Sequence, residues 1–181
     1  MKKLEKINSL RQLELLFSNS IIPDISSDSM FSIQATNEIH RIAFNSLDGF
    51  YKPLSGEKAE LRKTIPNNYY TREVLSYEMT KLFGIEGLIP PTIIYQPTSY
   101  SIGSIQLSAY FFGKEFYNLF DIHAAFTEGE KYKETINSLV NIADMIVFDF
   151  IIGNLDRNGF NYFVGKINDI DNRVLAIDNG L

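Results

Sequence analysis

Apolar and polar positions switch period several times along the chain, and each switch marks an element. Asn8 or Ser9 is placed to cap a first helix, with Leu10, Leu13, Leu15, Leu16 and Phe17 on its apolar side. After a polar stretch, Pro23 to Ser29, period-two patterning predicts strands over 30–35, 39–44 and 50–52. The last two are joined by Asn45-Ser46-Leu47-Asp48-Gly49, a glycine-containing hairpin loop. Helical spacing then predicts a helix from about Tyr69 to Phe83, ended by Gly84, with Val74, Leu75, Met79 and Leu82 on its apolar stripe. Strands follow over 92–95 and 105–112, and a helix over about 130–152. The second half of that helix is almost entirely apolar, so it is expected to be buried all round. The chain closes with a polar loop, Asn154 to Asn161, and two short strands, 162–164 and 174–177, that read as a hairpin.

That closing hairpin brings in the chemistry. Its turn lies at one end, so Asn161 and Asp178 are expected side by side at the other. Paired strands lie about 5 Å apart, and carboxylate or amide oxygens hold Mg²⁺ at about 2.1 Å. Two such side chains fit one ion. Asp156, on the loop before them, is left free to orient an incoming hydroxyl. On the helix over 69–83, Glu78 falls inside the apolar stripe and Glu73 off it, so the pattern alone singles out Glu78 as the inward carboxylate. His40 and His123 stand alone and read as structural.

Composition narrows the classes. A length of 181 residues with 45% hydrophobic content allows one core, built as one domain. A net charge of −5 without a basic block argues against nucleic-acid binding and polybasic membrane attachment. With no cysteine there is neither a disulfide nor a thiolate metal site. No apolar run approaches the ~20 residues that span a bilayer, and the charged amino terminus is unlike a classical signal peptide. The expected setting is cytoplasmic, or a host cell if the chain is a secreted bacterial effector.

Five segments in order resemble the atypical kinases of the phosphatidylinositol 3/4-kinase-like group, whose relatives include type II phosphatidylinositol 4-kinases and HipA-type bacterial kinases. They are Asp48-Gly49-Phe50-Tyr51-Lys52-Pro53, Tyr70 to Tyr77, Ile89-Pro90-Pro91-Thr92, Phe148 through Asn161, and Ala176 to Leu181. Together they cover about residues 25 to 181. Asp156 and Asn161 have the D-x-x-x-x-N spacing of a kinase catalytic loop, and Asp178-Asn179-Gly180 stands where DFG would.

The resemblance implies an α+β fold, a minimal two-lobed protein-kinase-like domain. Residues of about 1–115 would form an antiparallel amino lobe, and about 116–181 a reduced helical carboxy lobe. It implies that Lys52 holds ATP phosphates, that Glu73 rather than Glu78 positions Lys52 or metal, that Asp156 is the base, and that Asn161 and Asp178 hold Mg²⁺, with Mn²⁺ as a substitute. The hinge that binds adenine would be 112–116, with Phe112 and Lys114 as contacts. A glycine-rich phosphate loop is missing, since the first glycine is Gly49; Ser27 and Ser29 are expected to supply hydroxyls and N–H groups instead. Family members continue past the Asp-Asn-Gly position, so the chain reads as either a compact effector kinase or a piece of a longer one. The implied activity is ATP- and Mg²⁺-dependent transfer to a protein hydroxyl. A lipid kinase, an inactive nucleotide-binding module and an AMP transferase are the alternatives.

Overall fold

The computed structural model describes residues 14–15, 17, 22, 37–44, 47–57, 68–109, 117–118, 137–167 and 171–180. The expected strand over 30–35, the serines at 27 and 29, the segment containing Phe112 and Lys114, His123, the boundary near 115 and residues 130–136 of the long helix lie outside them. Within them that helix is shorter than expected, its run starting only at Ile142 after a turn over 138–141. The described chain is mixed α and β, with two antiparallel sheets and two α-helices. No helix among the described residues is long and apolar enough to cross a membrane.

The first sheet has the order β1 (His40–Phe44), β2 (Leu47–Pro53), β4 (Gly103–Leu107), β3 (Thr92–Tyr95). Strict alternation decides what each face does. On β1 and β2 the residues His40, Ile42, Phe44, Leu47, Tyr51 and Pro53 are buried, while Arg41, Phe50 and Lys52 alternate with them on the other face. Ile42, Phe44, Leu47, Tyr51, Ile105 and Leu107 form one core with Phe17. His40 is buried there, its Nε2 2.6 Å from Glu38 Oε1, as befits a structural histidine. Gly103 is demanded by a close approach: a Cβ there would lie 2.2 Å from the Lys52 carbonyl oxygen.

Register places Lys52 opposite Ser104, Phe50 opposite Gln106 and Gln106 opposite Thr92, so these side chains share the second face. That face is mostly polar and internally bonded, with Gln106 Nε2 donating to Thr92 Oγ1 at 2.9 Å. Helix α1 (Tyr69–Leu82) packs against β3 and β4. Its inward residues are Tyr69, Glu73, Ser76, Tyr77 and Thr80. The expected apolar stripe holds only in part: Met79 packs against the second core and Val74 is half-buried, but Leu75 and Leu82 are 59% and 83% exposed. The reason is the partner surface. A polar sheet face is met by a polar helix face, and the helix turns its leucines outward. The Glu57 carboxylate caps α1 by accepting from the N–H groups of Asn68 and Tyr70, both at 2.9 Å.

The second sheet has the order β5 (Tyr117–Asn118), β6 (Tyr162–Ile167), β7 (Asp171–Ala176). The β6–β7 hairpin is a wall between two cores. Phe163 and Leu175, paired across it, face the first core. Tyr162, Val164, Val174 and Ala176 face a second core with Tyr77, Leu88, Ile89, Met145 and Phe148. Helix α2 (Ile142–Ile152) covers this second core from outside. Asn141 ties it to β7, donating to the Val174 carbonyl at 3.0 Å and accepting from its N–H at 2.7 Å.

Helix α2 is not buried all round. Met145, Phe148 and Asp149 are inside, whereas Ile146, Val147, Phe150 and Ile151 are exposed. One hairpin contacts one face of a helix, and hydrophobicity alone does not supply a second contact.

Candidate functional site

The site forms where β2, α1 and the end of β7 meet. Lys52 Nζ donates to Glu73 Oε1 at 2.5 Å and to Asp178 Oδ1 at 2.7 Å, although Asp178 is 126 residues away in sequence. Glu73 is 2% exposed; Glu78 instead faces solvent and pairs with Lys81 at 2.8 Å. Period-two alternation turns Lys52 off the first core and toward α1, and the cap at Glu57 fixes where α1 begins. Gly180 lets the chain pass close by α1, since a Cβ there would come 3.0 Å from the Tyr69 carbonyl oxygen. Asn37, Lys52, Glu57, Tyr69, Glu73 and Asp178 line the same small pocket.

Two carboxylates share one ammonium, so the cluster carries a formal charge of −1. Burial pushes the Glu73 carboxyl up, Lys52 pulls it back, and nearby Asp178 adds to the rise. Burial alone would lower Lys52, but Asp178 and Glu73 outweigh it and hold the ammonium protonated well above its ordinary range. Among the described residues, Glu73 Oε2 is buried and has no hydrogen-bond partner. A carboxyl with a raised folded value binds its proton more tightly when folded. Its stabilising contribution is thus fullest below the unfolded value of 4.5 and declines as pH rises through the folded value. The melting-temperature difference between wild type and Glu73→Gln is expected to favour wild type most below the unfolded value of 4.5 and to shrink as pH rises above it. A difference that grows with pH would mean that Lys52 outweighs burial.

Asn161 and Asp178 lie at the open end of the hairpin, but not directly opposite. The ladder continues one step, with Ile177 N–H donating to the Asn161 carbonyl at 3.0 Å, and Asp178 follows beyond it. Asp178 has φ +56°, a left-handed conformation that Asp tolerates better than most residues. This bend ends the strand next to the residue that meets Lys52. The Asn161 amide donates to the Asp156 carbonyl at 2.6 Å, which leaves its Oδ1 as an acceptor. Asp156 is exposed on the loop and is not part of the Lys52 cluster. The structure thus joins Lys52, Glu73 and Asp178 through one ammonium, and joins Asn161 to Asp156 through a side-chain bond.

One group was missed in the sequence. Arg157 and Asp149 form an ion pair at 2.8 Å beneath the loop, 11% and 12% exposed. The signal was present: Asp149 is an acid in an otherwise apolar helical run, eight residues before an arginine.

The chain matches no protein-family model and no curated protein.

Proposed function

We propose that the chain is a phosphotransferase with a reduced two-lobed kinase-like fold, taking phosphate from ATP to a protein hydroxyl with Mg²⁺. The observation that carries this is the single lysine held between an α1 carboxylate and the Asp of Asp178-Asn179-Gly180. On this reading the first sheet and α1 would form the amino lobe, and α2 with the hairpin the carboxy lobe. An acidic chain without a basic block favours a protein acceptor over an anionic lipid surface.

Lys52 would hold phosphate oxygens, and Glu73 would keep its ammonium in place. The donor set fits Mg²⁺, with oxygen ligands only beside a net negative cluster. Among the described residues no three of His, Cys, Asp and Glu cluster for a metal, so the holding residues would be Asp178 and the neutral amide of Asn161. Bound there, Mg²⁺ would offset the charge of the phosphate oxygens.

Asp156 would accept the proton of the acceptor hydroxyl as its oxygen bonds to the γ-phosphorus. The bond from that phosphorus to the β-phosphate oxygen breaks, and ADP leaves. Mass spectrometry of a protein acceptor after incubation with Mg·ATP tests the reading. A gain of about 80 Da is expected. A gain of about 329 Da would mean AMP transfer, and no gain on a true acceptor would leave only nucleotide binding.

A further inference from the structure

Resting on that reading, we propose that Arg157 is a positioning residue for phosphoryl transfer, setting Asp156 and the two metal-holding side chains in register with one another. Its guanidinium forks onto Asp149 of α2, with Nε at 2.9 Å from Oδ2 and Nη2 at 2.8 Å from Oδ1. An ion pair of structural purpose would need no more. Yet Nη2 also donates to Asn179 Oδ1 at 2.5 Å, and Nη1 donates to the Ile177 carbonyl at 2.6 Å and to the Asn161 carbonyl. Those three acceptors are Asn161 itself and the two neighbours of Asp178.

Asp156 is bound to the same anchor twice. It precedes Arg157 in the chain, and its N–H donates to Asn154 Oδ1 at 3.1 Å, while Asn154 donates to Asp149 Oδ1 at 3.2 Å. The register reaches α1 as well, because Ser76 Oγ donates to the Asn179 carbonyl at 3.3 Å. Lying under the loop and 11% exposed, Arg157 spends its donors on the frame rather than on an incoming phosphate. Lysine cannot substitute. Its ammonium pairs with Asp149 as a point charge but lacks the planar fork that reaches both strands at once.

The test compares wild type, Arg157→Lys and Asp156→Ala for ADP formation from ATP with a protein acceptor, each over a Mg²⁺ titration. Arg157→Lys is expected to lower kcat by about 10–100-fold, the scale of a small misplacement of reacting groups. KM for Mg·ATP should stay within about threefold, and the half-saturating Mg²⁺ concentration should rise. Asp156→Ala lowers kcat without moving the Mg²⁺ requirement. Should Arg157→Lys not fold, Asp149→Asn, which removes the charge that seats the guanidinium, is expected to show the same split. A folded Arg157→Lys with wild-type kcat and wild-type Mg²⁺ dependence overturns the inference alone. So does a loss of kcat that only parallels lost melting temperature. If wild type neither binds Mg·ATP nor exceeds Asp156→Ala, the phosphotransferase reading fails, and this inference with it.

Discussion

Asp156→Ala is expected to lower phosphate transfer by ~10²–10⁴-fold, the size of a lost general base, while Mg·ATP affinity stays nearly unchanged. The expectation follows from placement. Asp156 stands exposed on its loop, outside the cluster of Lys52, Glu73 and Asp178, so on the proposed reading it would contact an acceptor rather than the phosphates. Among the described residues its side chain makes one long contact, with Asn158 Nδ2 at 3.4 Å; the loop is held through the Asp156 backbone. Removing the carboxylate therefore leaves the loop bonds in place. If Asp156 served only to shape the loop, the variant would lose melting temperature and ATP affinity together. Thermal melts with and without Mg·ATP, set beside single-turnover rates, separate the two outcomes.

Lys52→Met is expected to act on both stability and binding. The methionine keeps the apolar stem of lysine and deletes the ammonium, so Glu73 and Asp178 face each other without a cation. Breaking a buried pair in this way costs about 3 kcal/mol or more, because a charge is left uncompensated. Glu73 relieves part of that by taking up a proton, since burial and Asp178 already push its carboxyl up. Lys52→Met with Glu73→Gln should accordingly be more stable than Lys52→Met alone, a non-additivity that denaturant melts measure. Mg·ATP affinity should fall about 10–100-fold in both, the worth of a charge-assisted hydrogen bond. Equal stability of the single and double variants would show that the carboxylates do not depend on Lys52.

Much of the fold was legible because alternation is a local signal. The strand over 92–95 matches β3 to the residue, and the helix from Tyr69 matches α1 to within one residue at its end. The antiparallel hairpin also formed as expected, though its strands run longer, to Ile167 and from Asp171. What failed was the orientation of helices. Facing depends on the partner surface, and a sequence does not say that β2, β4 and β3 present Lys52, Ser104, Gln106 and Thr92 to α1. Pattern therefore favoured Glu78, and only the resemblance to kinases pointed to Glu73, the carboxylate that meets Lys52. The outward apolar face of α2 was hidden for the same reason. The Arg157 network escaped notice because three of its acceptors are two backbone carbonyls and an amide oxygen, which carry no compositional mark.

Calorimetric titration of Mg·ATP into the intact chain, repeated in EDTA, bears most directly on the claim that Lys52, Asp178 and Asn161 form a nucleotide site. Binding with Mg²⁺, sharply weakened in EDTA, is the predicted result, because the phosphates bring more negative charge into a cluster that already carries it and need the metal for compensation. ATP affinity that EDTA leaves undiminished, or no heat of binding under either condition, would contradict it.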